Sequence, residues 1–267
     1  MCRLFGFRSV IQSQMHRSLV QADNALCGLS EQHPDGWGVA YYVDGDVRLM
    51  KEPGAARDSA CLDFIERHPI RSTLVLSHLR HATQGAVAVR NCQPFVRELG
   101  GAMHVFAHNG HLDREALARM AVPEGFRPVG ETDSEIAFCV LLEQLRPLWR
   151  GAAGSPPLDQ RHRVVAAFAQ QLRTLGPANF LYADGDALFA HAHRRTQADG
   201  AIRPPGLHVL RRLCDGEHAD FATRGLHIEP THEGGAQTLI ASVPLTADAA
   251  WRPLEEGELL VMRAGRA

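Results

Sequence analysis

MCRLFGF (residues 1–7) puts a cysteine directly behind the initiator methionine, at the entrance to a strand-like run. Two readings of Cys2 are open. Free cysteine packs well as a small apolar residue, so it could simply begin the first strand. Alternatively, cysteine is small enough for methionine aminopeptidase to remove Met1 and leave Cys2 as the new N-terminus. Thiol and α-amine would then share one residue, a nucleophile carrying its own base. The rest of the chain has to decide between them.

Composition sets the bounds. The 267 residues are enough for one large domain or two small ones, with ample capacity to bury a core. Apolar content of 45% and charged content of 22% are ordinary for a globular protein and exclude wholesale disorder. A net charge of −2 gives no basic footprint for nucleic acid. No apolar run is long enough for a membrane span, and MCRLFGFRSV is too short and too soon charged to be a signal peptide. The six cysteines lie far apart without a CxxC pair, which points to reduced thiols in a cytoplasmic protein.

Outward from the first strand, GWGVAYYV and DVRLMKE read as a hairpin turning at Asp44-Gly45. Residues Asp58 to His68 have helical character. STLVLSHLRHA and AMHVFAH are strand-like, joined by the long polar link TQGAVAVRNCQPFVRELGG. TDSEIAFCVLLEQL carries apolar residues at helical spacing and a capping box at Thr132 and Glu135. After the flexible break GAAGSPPLDQ come a helix from Arg161 to Leu175 and a hairpin, NFLYADGDALFAHA, turning at Asp184-Gly185. Short strands follow near Gly206–Leu213, Gln237–Val243 and Glu258–Met262. Strand pairs with helices grouped between them predict an α+β chain of two sheets covered by helices, not a doubly wound parallel sheet. The break is too weak to split the chain, so a single domain over residues 1–267 is expected.

Four further stretches place polar residues where an element ends. HPDGWG (33–38) reads as a turn into a strand, with glycines that would let backbone approach a ligand closely. In SHLRHATQG (77–85), Arg80 follows an apolar run, where a guanidinium needs a partner; a structural salt bridge and a bidentate substrate carboxylate both fit. AHNG (107–110) is a common turn signal, yet an Asn amide beside a backbone N–H also supplies the two donors of an oxyanion hole. In GETDSE (130–135), Asp133 falls in a first helical turn, where the macrodipole favours it and where it could equally hold an ammonium group.

Taken together, the Met-Cys start, RHATQG, HNG and TDSE resemble the class II (N-terminal nucleophile) glutamine amidotransferases, in order and in spacing. DGWG, GETDSE and the C-terminal WRPLEEGE make the likeness closest to the small stand-alone, YafJ-like members. The resemblance implies a four-layer α/β/β/α sandwich of two antiparallel sheets. It implies that Cys2 attacks the side-chain amide of glutamine, with Asn109 and the Gly110 N–H stabilising the oxyanion. Arg80 would hold the α-carboxylate and Asp133 the α-ammonium. Thr83, with His81 and Gln84, would lie in the loop lining the glutamine pocket. Gln84 and Gln93 depart from the histidines many relatives carry there.

The chemistry needs no cofactor. An α-amine and a thiol titrate close enough to neutrality to exchange a proton, and water would hydrolyse the γ-glutamyl thioester to glutamate. His78 with His81, and His104 with His108 and His111, have spacings that on a helix would suggest zinc; on strands they do not, so no metal is expected. The expected partners are glutamine or another γ-glutamyl small molecule, with a separate ammonia-accepting synthase as one destination of the product. A specific γ-glutamyl metabolite hydrolase and a non-catalytic γ-glutamyl-binding protein are the alternatives.

Overall fold

Alternation along the strands sorts the apolar residues into three layers of core. A computed structural model of the chain describes residues 2–15, 34–61, 64, 68, 70–120, 125–214, 221–222, 227–231, 235–246 and 250–263. The first sheet is built from β1 (Arg3–Met15), β2 (Trp37–Val43), β3 (Asp46–Glu52) and β4 (Ile70–Leu79). It also contains β11 (His208–Leu213), β12 (Phe221–Ala222), β13 (His227–Pro230), β14 (Ala236–Ala241) and β15 (Arg252–Pro253). Its main order is β15-β11-β14-β1-β4-β2-β3, antiparallel throughout, with β13 pairing β1 and β12 pairing β13.

The second sheet is formed by β5 (Phe95–Leu99), β6 (Ala102–Gly110), β7 (Ala178–Ala183), β8 (Ala187–His191) and β16 (Leu259–Arg263), in the order β16-β8-β7-β6-β5. A two-stranded ribbon, β9 (Arg195–Thr196) with β10 (Ile202–Arg203), stands apart from both. The helices are α1 (Arg114–Met120), α2 (Asp133–Trp149) and α3 (Leu158–Leu175).

Side chains alternate across each sheet. Along β6, Phe106 joins Phe138, Phe168 and Phe180 beneath α2 and α3, while Val105 and Ala107 face the other sheet. Along β1, Leu4 faces Leu181 and Leu188 in the gap between the sheets, while Phe5 and Phe7 enter a third cluster with Trp37, Val39 and Trp251. A Cβ on Gly6 would come within 3.0 Å of Leu181 Cδ1, so that side chain would have to shift to admit one. The result is the α+β sandwich of two antiparallel sheets that the sequence predicts. On the outer face of the first sheet, Ala56, Cys61 and Leu245 pack against the third cluster. The helix expected over 58–68 is described only in part, by a 3-10 turn at Ala56–Asp58 and helical residues at 60, 61 and 64.

Both predicted hairpins are present. Asp44 and Gly45 take positive φ (53° and 82°), the conformation that two-residue hairpin turns need. The polar link after β4 is not wholly irregular: it contains β5, which pairs with β6 from Phe95 to Leu99. Its alternation of buried and half-exposed residues is too short to stand out from the polar residues around it. The helix expected from Arg161 begins at Leu158, and α1 and the two-residue strands are further elements that the sequence does not signal. Among the described residues, no helix is long and apolar enough to cross a membrane.

Two buried histidines give the fold a pH dependence. His104 lies between Tyr182 and the Leu99 carbonyl, and His191 beneath the Glu258 carbonyl; burial is the first cause lowering each from 6.5 to about 4. Between those values the unfolded chain binds protons that the folded one refuses, so stability falls as pH drops below 6.5. Unfolding by urea should show a loss of about 2 kcal/mol per histidine between pH 7 and pH 5. His104→Gln should remove its own share of that loss, about 2 kcal/mol; an unchanged pH dependence would show that His104 is not held neutral.

Candidate active site

The same alternation that sorts the core brings Cys2 and Asn109 together. Cys2 continues the β1 face that carries Leu4, and Asn109 the β6 face that carries Val105 and Ala107, so both look into the gap between the sheets. Asn109 Nδ2 donates to the Cys2 carbonyl at 2.8 Å and also reaches Ser242 Oγ at 3.4 Å. Ser242 in turn accepts from Leu4 N at 2.9 Å, tying the start of β1 to the end of β14. Nothing in the sequence marks Ser242; only the fold brings it here.

Asn109 and Gly110 are not a turn. They are the last two residues of β6, opposite Asn179 and Ala178 of β7. Asn-Gly is a strong turn signal in isolation, but here pairing with β7 overrides it. His111 N donates to Pro177 O, which fixes the direction of the alternating backbone groups. The N–H groups of residues 108, 110 and 112 therefore point away from β7, to the edge that β5 leaves uncovered beyond Phe106. At residue 108 that edge is closed by the Gln93 side chain, whose Oε1 accepts from His108 N at 2.6 Å and whose Nε2 donates to His108 O at 3.2 Å. At residue 112 it is closed by Asp133, whose Oδ2 accepts from Leu112 N at 2.8 Å. Between them, no side chain of the described residues takes the Gly110 N–H. Glycine is obligatory there, because a Cβ would sit 1.8 Å from the Pro177 carbonyl oxygen.

Asp133 is placed by the start of α2. Thr132 accepts from Glu135 N at 3.2 Å, the first half of the predicted capping box. The second half differs: the Glu135 carboxylate turns to Gly130 N and Arg97. Asp133 Oδ1 accepts from Ser134 N, and Ser134 Oγ meets His108 Nδ1 at 2.9 Å. Burial lowers the pKa of His108, against the opposing charge of Asp133.

The RHATQG loop leaves β4 directly beside Cys2. His81 N donates to Cys2 Sγ at 3.2 Å, and the thiol points back to the His81 carbonyl at 3.4 Å. Burial pushes the Cys2 thiol up, opposed by that backbone hydrogen bond and by the Arg80 charge. Arg80 is buried, and its two Nη atoms donate to four backbone carbonyls: Asp35 at 3.3 Å, Ala86 at 3.1 Å, Gln84 at 2.7 Å and Gly85 at 3.1 Å. The guanidinium is thus satisfied by the loop itself rather than by an acidic side chain. Gln84 reaches across to His111 Nδ1 at 3.3 Å.

HPDGWG supports this loop from below. Asp35 Oδ2 accepts from Ala82 N at 2.8 Å, and Gly36 O from Arg80 N at 2.8 Å. The glycines do allow a close approach, but of the chain's own residues rather than of a ligand. A Cβ on Gly36 would meet Cys92 Sγ at 2.6 Å, and one on Gly38 would meet Gln93 O at 2.3 Å. Asp35 and Gln93 are thus supporting residues whose sequence signals, a turn and a departure from the relatives, do not declare those tasks.

Two spaces open around Cys2. One, bounded by Arg80, His81, Thr83, Gln84, Thr132 and Asp133, is closed down to about 20 Å³. The other, bounded by Asn109, His111, Pro177, Arg195, Thr196 and Ile202, holds about 320 Å³. Among the described residues, no three His, Cys, Asp or Glu side chains converge as a metal site. The histidines at 104, 108 and 111 go separately to Tyr182, Ser134 and Gln84.

The sequence profile described as "Glutamine amidotransferases class-II" matches residues 1–267. The chain belongs to that family. Of its relatives, YafJ of Escherichia coli strain K12 is 32% identical over 261 residues, covering 97% of this chain and 96% of that one. The crystal structure of a predicted glutamine amidotransferase from Pseudomonas aeruginosa superposes with a TM-score of 0.69 at 27% identity, covering 98% of each chain. Glutamine phosphoribosylpyrophosphate amidotransferase of B. subtilis shares the fold, with a TM-score of 0.56 at 15% identity over 98% of this chain and 47% of its own. Both sheets are therefore those of a class II amidotransferase domain.

Proposed function

We infer that the chain is an amidohydrolase of the glutamine amidotransferase type, acting on the side-chain amide of glutamine or of a γ-glutamyl amide through Cys2 once Met1 is removed. The observation that carries this reading is the convergence of Cys2, Asn109 and the open Gly110 N–H at one end of the sandwich. The Cys2 thiol passes its proton to its own α-amine, directly or through water, as sulfur attacks the amide carbon. Asn109 Nδ2 and Gly110 N–H receive the negative oxygen. Collapse expels the amine, which takes the proton, and leaves a γ-glutamyl thioester. Water then adds to that carbon, giving glutamate and restoring the thiol. The whole of residues 1–267 acts as one domain in this reading.

Asp133 holds the substrate ammonium, since each carboxylate oxygen keeps acceptor capacity beyond its one short backbone bond. Arg80 places positive charge at the carboxylate end and fixes the turn at 84–86. Thr83 and His81 line the same wall. That end has to widen from its present 20 Å³ to accept an amino-acid head group, which assigns the adjustment to the 81–86 loop. Ammonia released from glutamine would serve a separate synthase; another γ-glutamyl substrate would release its own amine.

Steady-state kinetics separates the two charged residues. Asp133→Asn should raise KM roughly 10- to 100-fold, the effect of one charged hydrogen bond, with a smaller change in kcat. Arg80→Ala should lower kcat as well, because it frees the loop that supplies the His81 N–H to sulfur. A pure KM effect from Arg80→Ala would mean that it only binds substrate. No effect of Asp133→Asn on any γ-glutamyl substrate would remove it from the pocket.

A further inference from the structure

The larger space beside Cys2 has far more room than ammonia needs. Ammonia is about the size of water, which needs only ~10–15 Å³ of such volume. The cavity holds about 320 Å³, at the lower end of what small-molecule sites provide. It shares Cys2, His81, Thr83 and Gly110 with the closed space but is not lined by Asp133 or Arg80, so a γ-glutamyl group seated on those two residues leaves this cavity to its leaving amine. Pro177 and Ile202 give that cavity apolar walls, and the β9–β10 ribbon forms its rim.

Arg195 is the cation in this wall, and among the described residues it has no acidic partner. Its Nη1 donates to the Thr196 carbonyl at 3.3 Å, while its Nε is buried without any hydrogen-bond partner. Burial, followed by repulsion from Arg3, lowers its pKa from the ordinary guanidinium value to about 10. Among the described residues, the charge acting on Arg195 is the repulsive one of Arg3. Arg3 is itself pulled down by burial, and His208 is lowered first by burial and then by the charge of Arg195. Asp199, in the ribbon's own loop, pairs with Arg203, and Glu256 pairs with Arg194 and His193. A half-buried guanidinium without a counter-ion is costly unless something supplies one.

We propose that Arg195 receives a carboxylate on the leaving amine, so that the preferred substrates are γ-glutamyl amino acids or short γ-glutamyl peptides rather than glutamine. This rests on the amidohydrolase reading above and names its substrate class. The bond balance is that of hydrolysis. The γ-amide C–N bond breaks as the Sγ–C bond forms, and the leaving nitrogen takes the thiol proton. Water then splits the thioester, so the products are glutamate and a free amino acid or peptide.

The test compares γ-glutamyl-alanine with γ-glutamyl ethylamide, which has the same amide and alkyl group but lacks the carboxylate. Wild-type kcat/KM should favour γ-glutamyl-alanine roughly 10- to 100-fold, as expected for one charge-assisted pair. Arg195→Met should bring the ratio close to unity, and Arg195→Lys should recover part of it. A wild-type ratio of one or less, or a ratio that survives in Arg195→Met, overturns the proposal. If Arg195 instead held the α-carboxylate, both substrates would suffer equally and the ratio would not move, which also overturns it. Hydrolysis of glutamine and of the ethylamide by the wild type keeps the amidohydrolase reading separate. If neither they nor γ-glutamyl-alanine is cleaved, both fall together.

Discussion

Protein that retains Met1, or carries a tag in front of it, should release no glutamate from glutamine or from any γ-glutamyl amide. With Met1 in place the nitrogen of Cys2 is a planar amide of negligible basicity. Freed, it is an α-amine titrating at about 7.7–8.0. The thiol cannot compensate on its own, because burial raises its pKa and keeps it protonated at neutral pH. A cleavable tag that leaves Cys2 first should restore full activity, with intact mass recording which terminus is present. Full turnover by protein shown to keep its tag would refute the mechanism. Cys2→Ser should lose nearly all turnover yet still bind substrate, since its neighbours are unchanged. Cys61, Cys92, Cys139 and Cys214 should tolerate serine without comparable loss of activity, although Cys92, Cys139 and Cys214 are buried and their variants should be less stable. Cys27 lies outside the described residues.

Asn109→Ala should lower kcat by about 10²–10³-fold, the effect seen when one oxyanion donor is removed, with little change in KM. A complication is built into the site: the same Nδ2 also holds the Cys2 carbonyl at 2.8 Å. Loss of this bond could slow the reaction by loosening the nucleophile rather than by baring the oxyanion. The alkylation rate of Cys2 by a small haloacetamide, which forms no oxyanion, separates the two. A kcat loss with near-normal alkylation supports the donor role. Equal losses in both would make Asn109 a positioning residue, and a KM effect alone would exclude it from the chemistry.

Much of this was legible before any coordinates. Cys2, RHATQG, HNG and TDSE are contiguous or nearly so, and their residue types carry their chemistry openly. What the sequence misjudged were features decided by partners distant along the chain. Asn109-Gly110 has the local propensity of a turn, yet β7, some 70 residues later, makes it strand. FVREL alternates too briefly to announce β5, which exists because β6 offers it an edge. Ser242 and Asn179 reach Asn109 only through the sandwich; Asn179 Nδ2 donates to the Asn109 carbonyl at 3.0 Å. The two Nη atoms of Arg80 reach four backbone carbonyls, contacts that no side-chain pattern encodes.

The uncovered stretch of β6 has one more consequence. A bare sheet edge ordinarily recruits other chains, because a row of free N–H and C=O groups templates another strand. Here the row is interrupted on both sides of Gly110, by the Gln93 amide at residue 108 and by the Asp133 carboxylate at residue 112. A polypeptide in extended form has nowhere to zip on, whereas one isolated carbonyl fits the vacancy. The stoppers thus remove an aggregation hazard while leaving a single donor, the Gly110 N–H, between them.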